Sequence, residues 1–325
     1  MEILIYVLFL IGFVLLIKGA DWLVDGASSV AKKNNIPELV IGLTIVSFGT
    51  SMPELVVNLL ASFEGSSELA IGNVFGSNIA NILLILGVAA IIMPLPIQKS
   101  IYFTEIPMSM VATFMVGFLA NASLFMDNKS LELSHFDGAM LLFFFFMFMA
   151  YIYVVSNTKK NKKDLNTPDE SIDLLPNQKA YLFIVIGSVS LFLGGKWVVD
   201  GAVHIAQVFG LSETLIGLTV VAIGTSLPEL VTSAIAAKKG NADLAVGNVV
   251  GSNIFNLLWI LGISALIRPL PFDVASNTDI MMVIVASMLL IFAVIVGKRP
   301  RIDRWEGWVF VIVYFSYMAY LVQRG

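Results

Sequence analysis

Two carboxylates, Glu54 and Glu229, stand where an apolar helix does not want them. Each closes the same kind of hexad, Gly49-Thr50-Ser51-Met52-Pro53-Glu54 and Gly224-Thr225-Ser226-Leu227-Pro228-Glu229. The first hexad lies inside an apolar stretch from Pro37 to Phe63. A carboxylate at mid-membrane depth is expensive and points to function. Pro53 has no N–H, so the carbonyl of Gly49 loses its helical partner. The helix is expected to break there. The break gathers backbone carbonyls near Gly49 and Thr50, the hydroxyls of Thr50 and Ser51, and the Glu54 carboxylate. Thr225, Ser226 and Glu229 repeat the arrangement.

A second pair of segments adds more oxygen. Asn73, Ser77 and Asn81 are spaced four apart, and so are Asn248, Ser252 and Asn256. That spacing sets each trio on one helix face. Gly72, Gly76, Gly247 and Gly251 on the same segments suit close packing against a neighbouring helix. The chain has no cysteine and only two histidines, neither near these motifs. The donor set therefore argues against zinc or copper. Two carboxylates among neutral oxygens suit a hard cation, and a flexible cage favours Ca²⁺ over Mg²⁺. Carbonyls and hydroxyls also suit Na⁺. With Ca²⁺ removed, the two carboxylates repel and need Na⁺ or H⁺ in its place. That need is a physical route to obligatory exchange.

These side chains must be positioned by membrane helices. The chain of 325 residues is 58% apolar and 13% charged, with a mean hydropathy of +0.90. An ordinary soluble domain is far less apolar. The expected class is an all-α integral membrane protein with ten spans: 3–27, 38–63, 69–93, 104–125, 136–156, 179–203, 212–237, 243–267, 276–297 and 306–322. The first span carries Lys18 and Asp21 with no Ala-x-Ala-like site after it, and reads as a retained helix. Nucleic acid is not an expected partner, since no long basic patch occurs.

The spans divide into two halves. Residues 42–55 match 217–230 at ten of 14 positions, and 72–87 match 247–262 at 12 of 16. The offset is 175 in both blocks, and it also aligns Gly19, Trp22 and Asp25 with Gly194, Trp197 and Asp200. The expected units are a first five-helix repeat at 1–156, a polar linker at 157–178, and a second repeat at 179–325. Five is odd, so the second repeat enters the membrane inverted, and the two broken helices can meet near the midplane. Placing both termini outside puts 14 of the 19 lysines and arginines inside, among them those of the central loop. That bias selects N-out, C-out.

The hexads, together with GNVFGSNIAN and GNVVGSNIFN, resemble the paired repeats of the calcium/cation antiporter superfamily. The chain is most similar to its prokaryotic sodium/calcium exchangers, over essentially its whole length. The resemblance implies ten helices with the N-terminus outside. It implies a core of helices 2, 3, 7 and 8, across which helices 1 and 6 slide. It implies Glu54 and Glu229 as principal Ca²⁺ ligands, joined by backbone oxygens at Thr50 and Thr225. Ser51, Ser77, Ser226 and Ser252 would line Na⁺ sites, and Asn81 and Asn256 would complete the centre. The carbonyls of Ser47 and Ala222 would serve outer Na⁺ sites. Asn256 is Asp in some relatives, including potassium-dependent ones, so its neutrality argues against a K⁺ requirement. The transported ions would be Ca²⁺ and Na⁺, with no cofactor, no catalytic residue and a single chain as the working unit in an inner (plasma) membrane.

Other readings compete. Proton/calcium antiporters share the same glutamates, so Ca²⁺/H⁺ antiport by protonation of Glu54 and Glu229 stands beside Na⁺-driven export. A channel needs no counter-ion coupling, a scaffold leaves the twin acidic breaks without purpose, and an enzyme lacks any nucleophile–base pair in this sequence. Around the motifs, Asn78 and Asn253 sit one position off the face and suit bracing. Asp25 and Asp200 suit a structural or entrance role. Glu68 and Asp243 suit solvated loops at the mouths of the third and eighth spans. His135 and His204 suit an interface. Phe143–Phe146 read as lipid-facing, and Trp305 and Trp308 as an interfacial belt.

Overall fold

A computed structural model of the chain describes residues 2–125, 131–160, 174–209, 222–296 and 300–324. The first half holds α1 (Glu2–Lys33), α2 (Glu38–Thr50), α3 (Met52–Glu64), α4 (Ser67–Ile92), α5 (Ile101–Ala120) and α6 (His135–Lys160). The second holds α7 (Asn177–Val208), α8 (Ala222–Thr225), α9 (Leu227–Lys238), α10 (Ala242–Ile267), α11 (Asn277–Val296) and α12 (Arg304–Arg324). Among the described residues, eight helices are long and apolar enough to cross a membrane, and α2 with α3, bent by 49°, makes a ninth span. The protein is thus an all-α, multi-pass membrane fold. Helices satisfy every backbone polar group internally, which the bilayer demands. The start of the expected seventh span, 212–221, and linker residues 161–173 lie outside the described residues. So do Lys129, Lys298 and Arg299 of the charge-bias argument.

Several edges differ from the sequence reading. The first helix runs on to Lys33 rather than stopping near residue 27, because Ser28, Ser29, Val30 and Ala31 are buried. The fourth starts at Ile101 and gives way after Ala120 to a 3₁₀ turn, Ala122–Phe125. Four two-residue strands were invisible to periodicity: β1 (Leu95–Pro96), β2 (Glu132–Leu133), β3 (Leu270–Pro271) and β4 (Arg301–Ile302). β1 pairs antiparallel with β4, and β2 with β3, so each half lends a strand to the other.

α4 and α10 form the centre. Within their membrane-spanning windows 72% and 78% of residues are buried, against 28–50% in the other long spans, so the bundle is built around these two. Phe143, Phe144 and Phe146 are exposed as expected of lipid-facing rings. Phe145 is not. It turns inward, 5% exposed, onto Phe255 and Trp259 at centroid distances of 5.0 and 4.9 Å. Four aromatics in a row cannot share one face of a helix turning 3.6 residues. Trp305 and Trp308 are exposed.

α1 and α7 are sequence equivalents, and they pack against each other in opposite directions. Gly12 lies on Gly194, Gly19 on Gly187, and Gly26 on Ala180, so one number rises as the other falls. Backbone meets backbone at these points, as small residues allow between membrane helices. The pair forms one unit that lies beside the core.

Candidate cation site at the crossing of two broken helices

Each hexad does break its helix. α2 ends at Thr50, and Ser51 leaves helical geometry at φ −82°, ψ 10°. Ser226 repeats this at φ −87°, ψ 4° between α8 and α9. Pro53 and Pro228 sit in the first turn of the next helix, where a missing N–H costs nothing. Glu54 and Glu229 follow in the same turn. α3 and α9 then end on Gly65 and Gly240, at φ 82° and 84°. That left-handed geometry favours glycine.

All ten residues expected to line the site are buried, each 5% exposed or less: Thr50, Ser51, Glu54, Ser77, Asn81, Thr225, Ser226, Glu229, Ser252 and Asn256. The structure brings them together through hydrogen bonds that cross between halves. Ser51 Oγ donates to Glu229 Oε1 at 2.9 Å, and Ser226 Oγ donates to Glu54 Oε1 at 3.5 Å. Thr50 Oγ1 donates to Asn248 Oδ1 at 3.0 Å, and Thr225 Oγ1 to Asn73 Oδ1 at 3.3 Å. Asn81 Nδ2 donates to Asn253 Oδ1 at 2.9 Å, and Asn256 Nδ2 to Asn78 Oδ1 at 3.1 Å. Every bond has its counterpart 175 residues on.

These bonds use up donors and leave acceptors. At this site six buried oxygens have no hydrogen-bond partner among the described residues: Glu54 Oε2, Glu229 Oε2, Ser77 Oγ, Ser252 Oγ, Asn81 Oδ1 and Asn256 Oδ1. They are three repeat-related pairs. The Glu54 and Glu229 carboxylates share one site, since each is held by the serine of the other half's hexad. An unsatisfied buried polar group costs about 1–3 kcal/mol, more when charged. Six such acceptors, two of them carboxylate oxygens, are the complement of a cation, and Ca²⁺ takes six to eight oxygens. Among the described residues no group of three or more histidine, aspartate or glutamate side chains gathers anywhere.

Asn78 and Asn253 brace, as their off-face position suggested. By accepting the Asn81 and Asn256 amide N–H groups, they fix both amides and leave both Oδ1 atoms unpartnered. They also donate to each other's backbone carbonyls at 3.3 and 3.4 Å. Asn73 and Asn248 belong to the same layer: they hold the threonine hydroxyls. Behind them stand Asn58 and Ser233, which the motif reading passed over. Asn73 Nδ2 donates to Asn58 Oδ1 at 2.6 Å, and Asn248 Nδ2 to Ser233 Oγ at 3.0 Å. The signal was there, a polar residue four positions after each glutamate. Asn253→Ala and Asn78→Ala are expected to weaken Ca²⁺ binding roughly tenfold each, one neutral hydrogen bond in free energy. Titration of binding to purified protein tests this, and an unchanged affinity would show that something else orients Asn81 and Asn256.

Two other features shape the site. α4 widens to a π-helical turn at Ala80–Ile85, and α10 does so at Phe255–Ile260. Such turns cluster at functional sites, and no proline announces these two. Gly247 and Gly251 let α10 approach Leu39–Leu43 of α2 at backbone distance. The stretch equivalent to it, 214–218, lies outside the described residues. Ser47 Oγ donates to the carbonyls of Gly42 and Asn248 at 2.6 and 3.0 Å. Its own carbonyl accepts the N–H of Ser51 at 2.9 Å.

The peripheral residues fall into place. Asp25 is ion-paired to Lys239 at 2.7 Å, and Asp200 is exposed. Glu68 and Asp243 lie in the first turns of α4 and α10 rather than in loops: Glu68 is exposed, whereas Asp243 is half-buried and accepts from Gln98 Nε2. His135 Nδ1 lies 2.9 Å from the Ala265 carbonyl, and His204 packs edge-on against Tyr6 at 5.7 Å.

A multi-pass bundle with two broken helices crossing at paired carboxylates defines a cation-handling membrane protein. The chain belongs to the sodium/calcium exchanger protein family, whose model matches residues 4–154 and 179–323. It is 36% identical over 306 residues to the inner membrane protein YrbG of Escherichia coli strain K12, covering 92% of this chain and 91% of that one. It is 34% identical over 345 residues to the sodium/calcium exchanger MaX1 of Methanosarcina acetivorans, covering 97% and 98%. Its structure superposes on the sodium-calcium exchanger NCX_Mj, from a crystal soaked in 10 mM Na⁺ without Ca²⁺, with a TM-score of 0.81. The two are 32% identical, and the match covers 98% of this chain and 99% of that one.

Proposed function

We propose that this protein is a sodium/calcium antiporter that moves Ca²⁺ out in exchange for Na⁺ by alternating access. The observation that carries the reading is the set of six orphaned oxygens, two of them on buried carboxylates, in three repeat-related pairs. Glu54 and Glu229 are the shared anchors. Ser77, Ser252, Asn81 and Asn256 offer free oxygens, and Thr50, Ser51, Thr225 and Ser226 complete the wall. One Ca²⁺ neutralises two carboxylates. When it leaves, their repulsion in a dry site calls for replacement cations. An empty carrier is thus poorly disposed to cross, which enforces exchange.

The architecture we assign is ten spans in two inverted five-helix repeats, 1–156 and 179–325, joined by a cytoplasmic linker at 157–178. The opposed directions of α1 and α7 support the inversion. The basic residues support N-out, C-out in an inner (plasma) membrane. One chain holds both half-sites, so a monomer suffices. Ions and lipid are the partners.

The test is ⁴⁵Ca²⁺ uptake into proteoliposomes loaded with Na⁺ and diluted into Na⁺-free buffer, with pH equal on both sides and voltage clamped. Uptake is expected to require internal Na⁺ and to need no K⁺, because Asn256 is neutral. Uptake that follows an outward H⁺ gradient instead would establish Ca²⁺/H⁺ antiport, with protonation of Glu54 and Glu229 in place of Na⁺. Uptake that vanishes without K⁺ would remove the role given to Asn256.

A further inference from the structure

Lys239 closes one end of the bundle. It follows α9, and its Nζ lies 2.5 Å from Asp21 Oδ1 and 2.7 Å from Asp25 Oδ1, both on α1. It also donates to the Asp21 carbonyl at 3.4 Å. Two residues on, Asn241 Nδ2 donates to Ser28 Oγ of α1 at 2.8 Å. The core is thereby tied to the α1–α7 unit at this end.

The 175-residue offset assigns each member an equivalent at the other end. Lys239 corresponds to Glu64, Asp21 to Lys196 and Asp25 to Asp200. The frame is secure here, because Gly240 and Gly65, the next residues, share the left-handed φ of 84° and 82°. Charge is reversed across the repeat: the core residue is basic at one end and acidic at the other, and its partner on the sliding unit is acidic, then basic. Asp25 and Asp200 are both acidic, so the reversal is confined to Lys239 with Asp21 and Glu64 with Lys196. α1 and α7 run in opposite directions, so the two sets lie on opposite sides of the middle of one unit.

Only one set is engaged. Glu64 and Lys196 are both exposed, and neither makes an ion pair among the described residues. The packing is unequal in the same sense. α1 lies along α9, whereas α7 and α3, the equivalent pair, barely touch. Among the described residues, therefore, the core is tied to the α1–α7 unit at the Lys239 end and is not tied to it at the Glu64 end.

We infer that Lys239 with Asp21 and Asp25, and Glu64 with Lys196, are alternating latches that hold the α1–α7 unit at its two end positions, one forming as the other breaks. This rests on the alternating-access reading of the site. The unit slides as a body, because its glycine contacts leave no slack between α1 and α7. A shift that pulls Asp21 from Lys239 carries Lys196 toward Glu64. Exposed ion pairs are weak, which suits the role: each latch biases a near-balanced equilibrium without trapping it. Lysines at 18 and 196 facing lipid are commonly snorkelling side chains, and Lys18 has that role alone, since its equivalent is Leu193.

The chain contains no cysteine, so pairs can be introduced without altering any native thiol. Two variants serve: Asp21→Cys with Lys239→Cys, and Glu64→Cys with Lys196→Cys, each in proteoliposomes with a short, reducible bifunctional thiol reagent. Each pair is expected to cross-link, each cross-link to stop ⁴⁵Ca²⁺ exchange, and a reductant to restore it. The Asp21/Lys239 link is expected to raise alkylation of a cysteine placed at Ser66, which is exposed two residues from Glu64, and the Glu64/Lys196 link to lower it. In a separate arm, Lys196→Glu is expected to slow exchange about tenfold, and Glu64→Lys with Lys196→Glu to recover most of it. Failure of Glu64/Lys196 to cross-link in a protein that exchanges Ca²⁺, or a double charge reversal no better than Lys196→Glu, overturns the latch. If the unmodified chain moves no Ca²⁺ under either gradient while the two links still shift alkylation in opposite directions, the latch stands and the ion assignment falls.

Discussion

Glu54→Gln and Glu229→Gln are each expected to reduce Ca²⁺ exchange by more than about 100-fold while leaving the protein folded. Removing one partner of a buried charged cluster costs roughly 3–5 kcal/mol, and 1.4 kcal/mol is a factor of ten. Glutamine keeps the shape and one oxygen. It replaces the other with a donor, aimed into a group of acceptors that already lacks donors. Folding does not need the charge, because the serine bonds from Ser226 and Ser51 can be kept by an amide oxygen. The two losses should be similar, since each glutamate holds the same place in its half. ⁴⁵Ca²⁺ uptake and size-exclusion profiles measured on the same preparations check both parts. Normal uptake by either variant would end the shared-site reading.

Gly187→Ala is expected to destabilise the fold by roughly 1–3 kcal/mol, the usual cost of overpacking. A Cβ there would sit 2.7 Å from the Gly19 carbonyl oxygen and 2.7 Å from the Leu23 nitrogen. Both are backbone atoms of α1, so neither can rotate away. The α1–α7 unit must separate along its length, and its buried neighbours Leu16, Leu23 and Leu191 loosen with it. Gly195→Ala is the control on the same helix. Its Cβ would meet Pro228 Cγ at 3.4 Å, an ordinary contact, and the equivalent residue in α1 is already Ala20. Thermal unfolding in detergent should fall clearly for Gly187→Ala and stay near the parent for Gly195→Ala. Equal melting of the two would mean that the close approach is not what holds the helices.

The sequence by itself determined the membrane class, the broken helices and the chemistry of the site. Long apolar runs can only be helices in lipid, Pro53 and Pro228 cannot complete a helical turn, and a carboxylate at such a break has no bland use. The 175-residue offset made the second half a reading of the first. Local constraints of this kind are written in residue order. The tertiary structure alone decided which polar groups are donors' partners and which are left bare. Sequence position already set Asn78 one place off the face that carries Asn81, but the sequence did not show what either oxygen does: Asn81 leaves its own orphaned, and Asn78 spends its own on Asn256. Only contact across the halves shows that. The π-helical turns, the inward Phe145 and the two-residue strands were hidden for the same reason, each being too short to leave a period. So was the engaged latch, because a charge-reversed repeat shows which residues could pair, and only the packing of α1 on α9 shows which of them do.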